Sequence, residues 1–214
     1  AAGQHAATWL SPLMRLLHQG PSPLKRPPQS ATLGPMYLQT FGLRELPFGD
    51  APDPRFACLF AREREILAHV EYELTSTASS VTLVTGEAGV GKSLLCMLVE
   101  ADAPNHGVRA VRQGAGDYAL ETVAWLRAMY AGFGLPLPLS AEANTEDHLV
   151  DGLAAGLGRI SQHGNHRYLL ILDDADQLAD DDLAIVERLL LACENVDAPF
   201  HIVLAGLPAL RERL

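Results

Sequence analysis

The chain has 214 residues, of which 48% are hydrophobic and 20% charged, with a formal net charge of −10. That length accommodates one domain with a proper core plus a tail, and the acidic balance argues against a chain that holds nucleic acid through its overall charge. No run of eighteen apolar residues is present to span a membrane as a helix. The three cysteines, Cys58, Cys96 and Cys193, follow no disulfide or metal spacing and suit a reducing compartment.

In chain order, residues 6–18 could form a short amphipathic helix, and residues 19–35 are rich in Pro, Ser and Gln, as in an unfolded linker. Pro12 and Arg15 interrupt the apolar stretch from Trp9 to Leu17, which therefore does not read as a signal peptide. Residues 1–35 are read as a disordered or non-native extension, with Met36 as the start of the ordered chain. A chain that opens at Ala1 and stops at Leu214 is expected to be a fragment. Pro47, Pro52 and Pro54, alternating with Phe41, Phe48, Phe56 and Phe60, predict an extended strap that packs on the core or covers a bound base. Residues 36–75 thus form the strap plus a helix over Ala61–Thr75, where Ile66, Leu67, Val70 and Leu74 share one face.

Residues 76–214 carry the chemistry. Val81–Thr85 reads as a short buried strand, Val108–Val111 as a second, Tyr168–Leu172 as a third and Phe200–Leu204 as a fourth. Helices are predicted over Asp117–Tyr130, Thr145–Ser161 and Asp180–Asn195, the last with three aspartates at its N-terminus, where the dipole favours anions. Strands alternating with helices predict an α/β fold with a parallel sheet and helices on both faces.

Between the first strand and the next helix lies Gly86-Glu87-Ala88-Gly89-Val90-Gly91-Lys92-Ser93, a match to G-x-x-x-x-G-K-[ST]. Glycines let successive backbone N–H groups turn toward one polyphosphate, and the helix behind adds unpaired donors. The amides through Leu94 are therefore expected to bind nucleotide, with Lys92 on the β- and γ-phosphates and Ser93 on Mg²⁺. Lys92 is one of only two lysines, the other being Lys25. Leu169-Leu170-Ile171-Leu172-Asp173 then gives four apolar residues and an acid. A central strand must be apolar on both faces and opens onto the ligand crevice at its C-terminal end. Asp173 is expected to hold Mg²⁺, and Asp174 to orient the attacking water. The spacing also predicts that the 200–205 strand inserts between the other two, with its tip aimed at the γ-phosphate. His163 and His166 have no acidic or cysteine partner nearby and are not read as metal ligands.

These motifs, with Met36-Tyr37-Leu38, Phe41-Gly42-Leu43-Arg44-Glu45, Pro47-Phe48, Pro52-Asp53-Pro54-Arg55-Phe56 and the ending Val203-Leu204-Ala205-Gly206-Leu207-Pro208-Ala209-Leu210-Arg211, resemble the ExeA-like ATPases. This is the general secretion pathway protein A group of the AAA+ superfamily, and the resemblance covers residues 36–214. It implies a P-loop NTPase core of AAA+ type and an ATP- and Mg²⁺-dependent bacterial ATPase, cytoplasmic or at the inner face of the inner membrane. It further implies a homo-oligomer or a membrane-associated assembly that supports secretin or pilus formation. Relatives also serve DNA transposition, and Arg109, Arg112 and Arg127 are the candidates for a DNA-lining channel. Asp174 stands where the family has glutamate, Leu207 where it has glutamine, and the chain stops before the family's helical lid. With these departures nucleotide binding is better supported than fast hydrolysis, and a hydrolysis-deficient scaffold stands as an alternative, as does a small-molecule kinase, since P-loops also serve those. Arg211 and Arg213 are read as a solvated helix face or as charges presented to a neighbouring subunit.

Overall fold

The computed structural model describes residues 38, 40–42, 44, 53–138, 145–164 and 166–214. The chain divides into two units, 1–59 and 60–214. In the first, Pro54–Phe56 forms a 3₁₀ turn rather than the expected extended strap, because Asp53 accepts from the Arg55 amide and Pro54 supplies a helical φ. Phe48 and residues 1–35 lie outside the described residues.

The second unit runs α1 (Ala61–Thr75), β1 (Ser80–Thr85), α2 (Lys92–Asp102), β2 (Val108–Gln113), α3 (Ala115–Tyr118), α4 (Thr122–Gly132), α5 (Glu146–Gly164), β3 (Arg167–Leu172), α6 (Asp180–Asn195), β4 (Phe200–Gly206) and the short α7 (Leu210–Arg213). Among the described residues, one parallel sheet forms in the order β1-β4-β3-β2. The last strand does insert between β1 and β3.

Strand composition follows this order. All seven residues of β4 are buried, as are five of six in β3, because helices cover both faces of the central strands. Tyr168, Leu170, Leu172, Ile202 and Leu204 join one core with Trp125, Met129, Leu153 and Leu189 from α4, α5 and α6. On the opposite face α2 packs against β2 and β4, and α1 packs against α2. The expectation that β1 is buried needs correction. Among the described strands only β4 pairs with it, and Val81 and Leu83 are exposed.

Two other boundaries differ from expectation. The helix predicted over Asp117–Tyr130 is broken into α3 and α4. Asp117 turns its carboxylate back to the Gly114 amide, which starts a four-residue turn earlier, and Glu121 is extended before α4. The N-cap residue of α1, Phe60, expected to pack on the core or cover a base, is 70% exposed.

A polar cluster closes the far end of α2. Asp102, nearly buried, accepts from Asn105 Nδ2 at 2.7 Å and pairs with His106 Nε2 at 2.9 Å. Burial pushes the Asp102 carboxyl up, but the hydrogen bonds from His106 and Asn105 outweigh it and the net shift is downward. The Asp102 hydrogen bond raises His106 above the ordinary histidine value of 6.5. A raised histidine stabilises the fold fully below its unfolded pKa and loses that contribution as pH rises through the folded value. His106→Ala is therefore expected to lower unfolding free energy by about 1–2 kcal/mol at pH 6, with a smaller difference at pH 9, as read from urea unfolding across a pH series. Burial also pushes the thiols of Cys96 and Cys193 up to about 12, whereas Cys58 is exposed. A thiol reagent at pH 8 is expected to label Cys58 alone in the native protein and all three cysteines after denaturation, as counted by mass spectrometry.

Candidate nucleotide site

The C-terminal ends of β1 and β3 flank that of β4, so the loops leaving all three open on one crevice, where open α/β sheets bind ligands. The Gly86–Gly91 loop leaves β1 and enters α2. Gly89 and Gly91 have φ of 80° and 93°, a region that disfavours side chains. A Cβ on Gly86 would come within 2.9 Å of Val90 Cγ2. Glu87, Ala88, Gly89 and Val90 are exposed on this loop, and the half-buried Leu94 lies in the first turn of α2. That first turn carries N–H groups without intrahelical partners.

Lys92 Nζ curls back over the loop and donates to Gly86 O at 2.9 Å and Glu87 O at 3.0 Å. Ser93 Oγ donates to Asp173 Oδ1 at 3.2 Å, across 80 residues of sequence. The structure therefore brings Ser93 and Asp173 into contact, with Lys92 folded over the glycine loop. Asp173 Oδ1 also accepts from the Asp174 amide at 3.1 Å. Asp174 has φ of 55°, one of two non-glycine residues with positive φ among those described. Such a conformation is costly for most side chains and is best tolerated by Asp and Asn. Burial, and then the charges of Asp173 and Asp176, raise the Asp174 carboxyl above the ordinary aspartate value, with Lys92 pulling the other way.

Ser93 and Asp173 converge two hard oxygen donors, the set that suits Mg²⁺. Among the described residues no group of three or more His, Cys, Asp or Glu is arranged to hold a metal. Mg²⁺ characteristically takes one or two protein oxygens and completes its shell from water and substrate phosphates, so this donor set fits it. Beside the loop lies a cavity of about 340 Å³ bounded by Arg62, Glu63 and Ile66 of α1, Val84 of β1, Lys92 and Pro208. A wider hollow of about 710 Å³ lies around Ser79, Ser161 and Asp197, at the end of the strands away from the glycine loop. It is very open and has no converging donor set comparable to the loop, Ser93 and Asp173.

Several contacts at the site were not read from sequence. Tyr118 Oη donates to Asp173 O at 2.7 Å and Asp173 N donates to Gln113 O at 2.9 Å, which anchors the end of β3 from the β2 side. Asp176 Oδ1 accepts from the Leu207 amide at 2.8 Å, and a Cβ on Gly206 would lie 2.7 Å from the same oxygen. The tip of β4 is thus held by its backbone to the loop after Asp173. Arg213 lies on the exposed side of α7, with its side chain partly covered. It donates to Asp180 Oδ1, Asp176 O and Leu178 O, and so ties α7 to the same loop. Of the arginines proposed for a DNA channel, Arg109 donates to Phe133 O at 2.7 Å and Arg112 to Glu100 at 2.8 Å. Nothing in the sequence points to Tyr118, and Arg112 stands out there only as a candidate for a DNA channel, not as a neighbour of Asp173. Asp176 was visible only as one acid of the Asp173-Asp174-Ala175-Asp176 run.

Residues 75–214 match the family described as AAA domain. The chain belongs to the AAA domain family. The chain is 30% identical over 187 residues to General secretion pathway protein A of Aeromonas hydrophila, with 84% of this chain and 31% of that protein covered. It spans about a third of the length of that relative. Among solved structures, it is similar to the Aeropyrum pernix ORC1 protein in complex with DNA, with a TM-score of 0.53, 17% identity and coverage of 73% of this chain and 42% of that one. Cdc6p from Pyrobaculum aerophilum gives a TM-score of 0.53 at 18% identity, covering 73% of this chain and 44% of that one. At such identities the two structures establish the fold alone, a parallel α/β sheet with helices on its faces. Among the described residues no helix is long and apolar enough to cross a membrane.

Tyr118→Phe removes a 2.7 Å hydrogen bond to a carbonyl behind the site. It is expected to destabilise the domain by about 1–2 kcal/mol, measured by chemical unfolding against the wild type.

Proposed function

We propose that this AAA domain binds ATP with Mg²⁺, hydrolyses it slowly, and uses the cycle to drive or signal within a larger assembly. The observation that carries the reading is the convergence of the glycine loop, Lys92, Ser93 and Asp173 at one end of the sheet.

In this reading the amides from Gly86 to Leu94 cradle the phosphates, aided by the partial positive charge at the start of α2. Lys92 exchanges its two loop carbonyls for phosphate oxygens, a replacement of neutral acceptors by charged ones that favours the bound state. Ser93 and Asp173 would hold Mg²⁺, which would supply neutralisation of the phosphate charge. Asp174 orients a water and accepts its proton. An aspartate reaches one methylene less far than a glutamate, and a displacement of about 1 Å can lower a rate roughly a hundredfold. Leu207 at the β4 tip has no side-chain donor or acceptor for phosphate or water. Both features support slow turnover.

The similarity to General secretion pathway protein A supports a place in a bacterial secretion-type assembly, in the cytoplasm or at the inner face of the membrane. In that setting residues 76–214 would act as the nucleotide-binding core, as part of a homo-oligomer or a mixed complex. DNA binding is the second reading, but Arg109 and Arg112 already have acceptors within the chain.

Calorimetric titration with ATP and Mg²⁺ tests the binding. Wild type is expected to bind, and Lys92→Ala to lose at least about tenfold in affinity, the order expected for one charged hydrogen-bonding partner. Absence of binding by folded wild type would refute the reading. In a steady-state phosphate-release assay, Asp174→Asn is expected to keep affinity while turnover falls by about a hundredfold.

A further inference from the structure

We infer that Arg112 is a positioning residue for the metal half of this site: oriented by Glu100, its guanidinium steers the Asp173 carboxylate so that Oδ1 meets Ser93. The inference rests on the nucleotide reading above.

Asp173 is only 5% exposed, and an ionised carboxylate at that depth needs compensating partners. Its two oxygens face different groups. Oδ1 accepts from Ser93 Oγ at 3.2 Å and from the Asp174 amide at 3.1 Å. Oδ2 lies 3.8 Å from Arg112 Nη1, beyond a direct hydrogen bond but close enough for the positive charge to set the carboxylate's rotation. Arg112 sits on β2 opposite Ile171, and its Nε donates to Glu100 Oε2 at 2.8 Å. Glu100 stands two turns beyond Ser93 on α2, on the same face of that helix. A planar guanidinium can span two carboxylates in this way. It links the helix behind the phosphate loop to the end of β3.

A cation beside a cation site has two opposite effects. Its charge repels the metal, and its hold on the carboxylate preorganises a ligand. Glu100 decides the balance here, because it makes the shorter contact with Arg112 and offsets its charge. What remains is orientation, so loss of Arg112 should weaken metal binding.

The test titrates wild type, Arg112→Met, Arg112→Lys and Glu100→Gln with a fluorescent ATP analogue, in EDTA and across a Mg²⁺ series. Arg112→Met keeps most of the side-chain stem and is expected to raise the Mg²⁺ concentration for half-maximal binding about tenfold, the lower end of the effect of removing an outer-shell partner. Affinity in EDTA should stay within about twofold of wild type, since the phosphate cradle is untouched. Arg112→Lys retains the charge without the fork and should recover only part of the loss. Glu100→Gln leaves the Arg112 charge uncompensated and should also raise the Mg²⁺ requirement.

An unchanged or lower requirement in Arg112→Met overturns the inference, and so does an equal loss of affinity in EDTA, which would mark a merely structural role. If Arg112→Met does not fold, Glu100→Gln decides, and an unchanged requirement there overturns it. Wild type that takes up no analogue with Mg²⁺ removes the functional reading and this inference together. Uptake by wild type with no change in the variants removes this inference alone.

Discussion

The contact between Ser93 Oγ and Asp173 Oδ1 joins the first turn of α2, behind the loop that leaves β1, to the end of β3 in the same sheet. It exists because β4 lies between β1 and β3 and holds their ends at a set separation. A parallel neighbour of β1 other than β4 would carry the glycine loop away from Asp173. Strand order is therefore the constraint that creates the site, and the apolar faces of β3 and β4 maintain it. Helices cover both faces of these strands, so a polar residue placed inside them would meet no water.

The loop after Asp173 concentrates the remaining constraints. Asp174 adopts a left-handed backbone conformation, Asp176 holds the Leu207 amide, and Arg213 takes up two carbonyls and the Asp180 carboxylate. Tyr118 supports the same turn from behind. The result is a turn tied to β2, to the tip of β4 and to α7. Asp173 and the β4 tip are thus linked through Asp176, three residues along the same loop. The tie runs through backbone and acid rather than through a polar side chain at position 207, so Leu207 does not disconnect the strand tip from the loop.

Much of this was legible beforehand. The glycine loop, Lys92, Ser93 and Asp173 stand out in the sequence because each type at that spacing suits a need of phosphate or metal that few other patterns meet. The order of the strands was also expected, from the spacing between the two motifs. Sequence reading failed where a residue's role depends on what happens to lie next to it. Val81 and Leu83 look like core residues, and only their place on an edge strand exposes them. Phe60 looked apolar enough to pack and is instead a solvent-facing helix cap. Arg213 reads as a surface charge and lies at the surface, but its fork also satisfies groups more than thirty residues away.

Sequence alone set out the fold and a glycine-loop pattern whose chemistry suits phosphate, because phosphate binding by backbone amides needs glycines at particular positions and central strands need largely apolar runs. Tertiary structure alone decided which polar groups support that chemistry. Arg112, Glu100, Tyr118 and Asp176 are ordinary residues in ordinary positions along the chain. They act on Asp173 and Leu207 only because parallel pairing and helix packing bring side chains from distant segments within hydrogen-bonding or Coulombic range.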